Sequence, residues 1–307
     1  MIGWSSVFQV AVDAISLGSL YALAALGIGI IFGIMRLINF AHGDFITIGA
    51  YSLIVPSSAA LATTFIGTWS TPLMVAAVVL VVMGFALATE AVVFRPMRNA
   101  HPAVLLIGSF AVSFFLQNAV LMIYTSRPKS VNIWSELGEA VEIFGIHTAP
   151  LEFVTIGVTI VLLVGLTLFI TRTTYGTQMR AASEDFAMAR LLGVKADRVI
   201  AMAFAISGIL AAVISLFMVA RQGYLFYRMG VPIVIFAFVA TIIGGMGSLV
   251  GAALGGFLLG ALTTVLQVVL PDDIKEARDA FAFAVVVLIL LLRPDGLIAG
   301  RVTAERV

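Results

Sequence analysis

TRTTYGTQMRAASEDFAMARLLGVKADRV, residues 171–199, is the longest charge-rich interruption between two long apolar runs. It sets Arg172, Arg180, Arg190, Lys195 and Arg198 against Glu184, Asp185 and Asp197. Ser183 is a good N-cap, Glu184 and Asp185 suit the positive end of a first helical turn, and Gly193 stands where a C′ glycine belongs. The pattern predicts a short helix over 183–192, with Met188, Leu191 and Leu192 at i, i+3 and i+4 on one side. A helix of about ten residues is marginal alone in water, so that apolar side must dock on a partner. A plain solvated connection is the alternative. The caps, the length and the one-sided apolar face weigh against it.

The flanking runs set the class of protein. Of 307 residues, 62% are hydrophobic and 11% charged, with mean hydropathy +1.15. A soluble domain is about half apolar and about a quarter charged, so a chain of this length has too little interior to hide such a surface. This predicts an all-α polytopic membrane protein, a single transmembrane domain over 1–307. A net charge of +1 leaves no electrostatic footprint for nucleic acid. The lack of cysteine excludes disulfides, thiolate catalysis and Cys-ligated metals. No Lys or Arg precedes Arg36, so the first apolar run is expected to stay as a membrane helix rather than leave as a signal peptide.

About 20 apolar residues make one span. The runs predict spans over about 8–35, 45–65 (with Pro56 as a kink or break), 72–94, 102–124, 150–170 and 199–220. A short one follows at 232–243, then 249–270 and 280–292. That is eight or nine, depending on whether 232–243 crosses or only dips. Placing 94–102, 171–199 and the tail after Leu292 in the cytosol puts ten basic residues inside against five outside. That two-fold bias orients the chain with its N-terminus outside and its C-terminus inside.

Three constellations stand out. In LINFAHGDFITIGAY (37–51), Asn39, His42 and Asp44 sit among apolar neighbours, where a carboxylate at bilayer depth costs roughly 2.5–3.5 kcal/mol. They form either a turn between spans or the lining of a gate, with Gly43 letting the backbone turn. One His and one Asp make a weak metal signal, and no metal site is expected. Ser109, Ser113 and Gln117 recur every fourth residue as a polar stripe, for interhelical hydrogen bonds or for lining a polar route. In GGMGSLVGAALGGFLLG (244–260), Gly247, Gly251 and Gly255 give a small-xxx-small pattern for close helix packing, and Gly244 opens a break that can act as a hinge. No G-x-x-x-x-G-K-[ST] occurs, so this chain binds no ATP through a P-loop.

RAASEDFAMARLLGVKADRVIAMAFAISGILA (180–211) resembles the coupling loop and following helix of the permease family of high-affinity branched-chain amino acid (LIV-type) ABC importers. NFAHGDFITIGAY (39–51), EAVVFRPMRN (90–99), GGMGSLVGAALGGFLLG (244–260) and LLRPDGL (291–297) resemble further family blocks in the right order. The likeness covers nearly the whole chain and points to the shorter permease type. It implies a multi-pass protein of the bacterial inner membrane. Its expected partners are a second permease, identical or not, two ATPase chains that bind ATP and magnesium, and a periplasmic solute-binding protein. Residues 180–194 would be the coupling helix seated on the ATPase. Arg180, Ser183, Glu184, Asp185 and Arg190 would set docking, Met188, Leu191 and Leu192 would anchor it, and Gly193 would end it. Asp44 replaces a frequent family Glu and Ser183 a common Ala.

Branched-chain or related amino acids are the expected solute, with urea, amides or aromatic and carboxylic acids as alternatives. Two rival functions use the same residues. One is a free-standing channel or secondary transporter relaying ions through Asp44 and His42. The other is an intramembrane enzyme built on His42, Asp44 and His101, which lacks convergent acid–base groups.

Overall fold

The computed structural model describes residues 4–57, 59–98, 100–143, 146–294 and 296–298. Asn99 of the basic RPMRN turn, Asp295 of the LLRPDGL block, and Arg301 and Arg306 of the tail lie outside them. The described helices are α1 (Trp4–Met35), α2 (Ala41–Tyr51), α3 (Thr71–Thr89), α4 (Arg95–Met97), α5 (Pro102–Tyr124), α6 (Ser135–Gly138) and α7 (Pro150–Arg172). They continue with α8 (Thr174–Glu184), α9 (Phe186–Leu191), α10 (Ala196–Gln222), α11 (Gly230–Gly244), α12 (Leu249–Val269) and α13 (Arg278–Leu292). Four short strands join as two antiparallel ribbons. One pairs β2 (Val141–Ile143) with β3 (Ile146–Thr148), the other β1 (Lys129–Ser130) with β4 (Tyr224–Leu225).

Six described helices are long and apolar enough to cross a membrane: Val7–Met35, Thr71–Met97, Pro102–Tyr124, Pro150–Arg172, Ala196–Gln222 and Leu249–Val269. Pro72 and Pro102 open two of them, where a missing N–H does no harm. A turn of π-helix over Glu90–Phe94 carries α3 into α4 without a break.

The expected span over 45–65 is not a continuous helix. α2 stops at Tyr51 after 11 residues, about half the hydrocarbon thickness at 1.5 Å per residue. Pro56 lies beyond the helix end, in an irregular connection tied by a bridge between Ile54 and Thr64, so it kinks nothing. Every residue of α2 is buried by protein. α11 and α13, at 15 residues each, also fall short of the full thickness.

The chain divides into two compact units. One draws on residues 1–29, 134–163 and 235–307, the other on 30–133 and 164–234. In the first, α12 presents glycines to two neighbours. A Cβ on Gly251 or Gly255 would overlap the backbone of Gly244 or Ala240 on α11, and one on Gly256 or Gly260 would overlap Ala22 or Gly18 on α1. Tyr21 stacks on Phe236, and Phe236 on Phe283.

In the second unit α10 is the axis, packed on α2 and α3. Small residues again set the separations, with Gly208 against Met83 and Ala86. Lys129 is fully buried at the edge of this unit, and its ammonium donates to the carbonyls of Ser57 and Ala59. Replacing it with Met strips both carbonyls of their donor, at about 1–3 kcal/mol for each acceptor left unpaired. The Lys129→Met chain is expected to unfold at a clearly lower temperature in detergent, with Lys129→Arg in between. An unchanged midpoint would show that the ammonium holds nothing.

Candidate functional site

Residues 171–199 form an elbow rather than the single helix over 183–192. Thr173 caps α8, its hydroxyl accepting from the Gly176 amide at 3.0 Å, and α8 runs on through Ser183 to Glu184. Asp185 is extended and starts α9, its carboxylate accepting from the Met188 amide at 2.8 Å. Ser183 is therefore not a cap. Its hydroxyl turns back onto the Arg180 carbonyl at 2.7 Å, because the helix it was expected to open has already begun nine residues earlier. Glu184 ends α8 instead of lying in a first turn.

The end of the elbow falls where the glycine marks it. Gly193 has φ +90°, its amide bonds to Arg190 O and the Val194 amide reaches back to Ala189 O, which is a Schellman closure. Arg180 donates to the Ile170 carbonyl and so ties α8 to the end of α7. Met188, Leu191 and Leu192 are 53%, 83% and 78% exposed, an apolar face that the chain itself leaves uncovered.

The second group converges on the first turn of α2. His42 is wholly buried, and its Nδ1 meets the Ser207 hydroxyl of α10 at 2.9 Å while Nε2 has no partner among the described residues. Asp44 lies two residues on and faces α5, where the Ser113 hydroxyl and the Gln117 amide approach its carboxyl without closing a hydrogen bond of good geometry. Gln117 donates to Ser113 at 3.0 Å. Ser109 accepts from the Phe40 amide at 3.4 Å and donates to Ile38 O at 3.2 Å and Leu106 O at 2.8 Å, so it anchors the start of α2. Asn39 caps locally through the Ala41 amide at 3.2 Å and leaves its own buried amide nitrogen unpaired. The stripe on α5 thus divides: Ser109 holds backbone, while Ser113 and Gln117 look at a carboxyl.

Gly43 does not turn the backbone. It lies inside α2, and a Cβ there would sit 2.6 Å from the carbonyl oxygen of Gly230, the first residue of α11. The glycine serves close approach, supported by the Gly230 amide donating to the Thr47 hydroxyl at 3.2 Å. Gly230 and Ser207 were not singled out from the sequence. A glycine opening a run that a proline at 232 also opens was the one available hint. Gly247, with φ +92°, lies in the turn between α11 and α12 and takes no part in helix packing, whereas Gly251 and Gly255 lie inside α12. His101 caps α5 by accepting from the Ala103 amide at 3.3 Å, so it is engaged away from any acid–base group. Among the described residues no three His, Cys, Asp or Glu side chains gather as a metal site.

Membrane-length helices, a polar cluster sealed among them and a capped elbow with a bare apolar face have the make-up of a membrane transport subunit. Residues 10–290 match the family described as branched-chain amino acid transport system / permease component. The chain is 36% identical over 307 residues to the high-affinity branched-chain amino acid transport system permease protein BraD of Pseudomonas aeruginosa, covering 97% of each. It is 34% identical over 303 residues to the permease protein LivH of Escherichia coli (strain K12), covering 96% of each. A shorter stretch of 103 residues is 34% identical to the autoinducer 2 import system permease protein LsrC of Klebsiella pneumoniae, covering 32% of this chain and 30% of that one. No solved structure matches. The protein belongs to the branched-chain amino acid transport permease family, and it is a permease component rather than an enzyme.

Proposed function

We propose that this chain is the membrane subunit of an ATP-driven importer of branched-chain or closely related amino acids in the bacterial inner membrane. The observation that carries the reading is the capped α8–α9 elbow, which holds Met188, Leu191 and Leu192 in solvent between two membrane-length helices. Side chains so placed gain by burial against a partner, at roughly 1.5–3 kcal/mol each. A pair of ATPase subunits, which also bind ATP and magnesium, supplies the cleft. Arg180, Glu184, Asp185 and Arg190 steer the fit by charge. A second permease and a periplasmic binding protein complete the assembly.

Eight to nine membrane passages follow if α11 and α13 cross as short helices and α2 with its irregular continuation makes a ninth. The elbow then lies on the cytosolic side with the larger share of basic residues. Asn39, His42, Asp44, Ser109, Ser113 and Gln117 line or gate the route. The buried polar atoms of Asn39, His42 and Asp44 that lack partners among the described residues are the support, since such groups are costly unless a solute or water meets them.

The test is transport by the reconstituted assembly. Proteoliposomes holding this chain, its second permease and the ATPases should accumulate labelled leucine when ATP is enclosed and the binding protein is present outside. Accumulation driven by an ion gradient with no ATPase present would replace the reading with that of a secondary transporter.

A further inference from the structure

At one end of the second unit, three membrane-length helices meet at their termini. α1 ends at Met35, the α3–α4 span ends at Met97, and α10 begins at Ala196. Between these ends and the α8–α9 elbow lies an open pocket of about 270 Å³. Arg36, Arg98 and Arg190 line it, together with Ser183 and one acidic residue, Glu184. Its apolar part is supplied by Ile34, Phe186 and Ile200.

The charges around it are unevenly matched. Arg98 is committed to Asp197, which also takes Arg95 at 3.2 Å, and Arg95 lies 3.9 Å from Glu90. Asp197 is thereby spent on two guanidinium groups, with Arg190 within its electrostatic reach but outside ion-pair distance. Arg36, with φ +54°, bonds through its amide to Phe32 O at 2.9 Å, while its guanidinium makes no hydrogen bond or ion pair among the described residues. The lining therefore carries three cations and one anion, and two of the cations close no ion pair among the described residues. Guanidinium forks match the oxygens of a phosphate in a bidentate geometry. The ends of three apolar, membrane-length helices put the pocket near the depth where lipid headgroups lie.

We propose that this pocket binds a phosphate group, Arg36 and Arg190 gripping its oxygens, with an anionic phospholipid headgroup as the source its position favours. Three of the pocket's walls belong to spans and the fourth is the elbow, so an occupied pocket braces the elbow against the membrane-facing helix ends. The site is separate from the buried α2 cluster and from the exposed Leu191–Leu192 face, and binding to it does not depend on which solute is carried.

The experiment uses the full chain in nanodiscs of phosphatidylcholine alone or with phosphatidylglycerol, with inorganic phosphate as a separate arm. Phosphatidylglycerol should raise the thermal midpoint. Arg36→Gln/Arg190→Gln should abolish the rise and weaken lipid affinity by about tenfold or more, while Arg172→Gln, outside the pocket, should keep both. A rise with inorganic phosphate but none with the lipid would retain the site and assign it to a soluble phosphate. A rise of equal size in the double variant, or no rise in either arm, would overturn the proposal. Native mass spectrometry of the wild-type chain decides independently of whether the variant folds. One phosphatidylglycerol retained at an energy that strips phosphatidylcholine supports the site, and equal loss of both rejects it.

Discussion

Leu191→Lys/Leu192→Lys is expected to abolish transport while leaving the chain folded. Both side chains are more than three-quarters exposed, so the fold loses no core contact. Lysine near a helix C-terminus suits the helix dipole, and the Gly193 closure does not use either side chain. Whatever the change does, it does at a partner surface. Two leucines buried on docking contribute roughly 3–6 kcal/mol, and two desolvated ammonium groups oppose the remainder. At about 1.4 kcal/mol per factor of ten, ATP-dependent uptake should fall at least about a hundredfold. ATP hydrolysis by the partner should continue at its uncoupled rate. Uptake at the wild-type rate from the double variant, assayed in proteoliposomes, would remove the elbow from the mechanism.

The second large effect is structural. Gly230→Ala should prevent accumulation of a folded chain, or lower its thermal midpoint by many degrees, because the new methyl would overlap the backbone carbonyl of Gly43. Backbone meets backbone there, so no side chain can swing aside, and α2 would have to part from the start of α11. Overpacking of a tight site typically costs about 1–3 kcal/mol and more where nothing yields. Gly33→Ala and Gly84→Ala are the matched controls. Neither has an atom within 4 Å of the added methyl, and both lie in helices where alanine is the better former. Size-exclusion profiles after a heating series compare all three. A Gly230→Ala chain as stable as the controls would mean that the α2–α11 approach is not required.

The sequence yields the long helices nearly to the residue, since proline openings, polar loops and apolar length all act locally. α5 is the clearest case, opening at Pro102 and ending at Tyr124 as the pattern predicts. The elbow is half legible. Gly193 announces its own left-handed closure, but Ser183, expected to open the helix, and Asp185, expected in its first turn, stand two residues apart and both belong to the N-cap class. The choice falls to Asp185 because α8, capped far upstream at Thr173, consumes Ser183 and Glu184. α2 is the main misreading. Its apolar stretch continues on paper to Phe65, yet the helix ends at Tyr51. What could not be read are the distant pairings, His42 with Ser207 and Gly43 with Gly230. Helices apolar on every side carry no stripe to say which face meets which neighbour.

The π turn at Glu90–Phe94 has a geometric effect on everything after it. The Arg95 amide bonds to the Glu90 carbonyl five residues back, so this turn holds one residue more than an α turn. Each residue of an α-helix advances the azimuth by about 100°, so the basic end that follows is dephased by that angle from the helix leading into it. It is in this rotated setting that Arg95 and Arg98 reach Asp197 on α10. Deleting a single residue from 90–94 would remove the bulge and leave both guanidinium groups in place, whereas winding the same five residues as α-helix would turn both away. The hinge between the lipid-buried rod and its charged tip is thus written as an extra amino acid, not as a proline or a glycine.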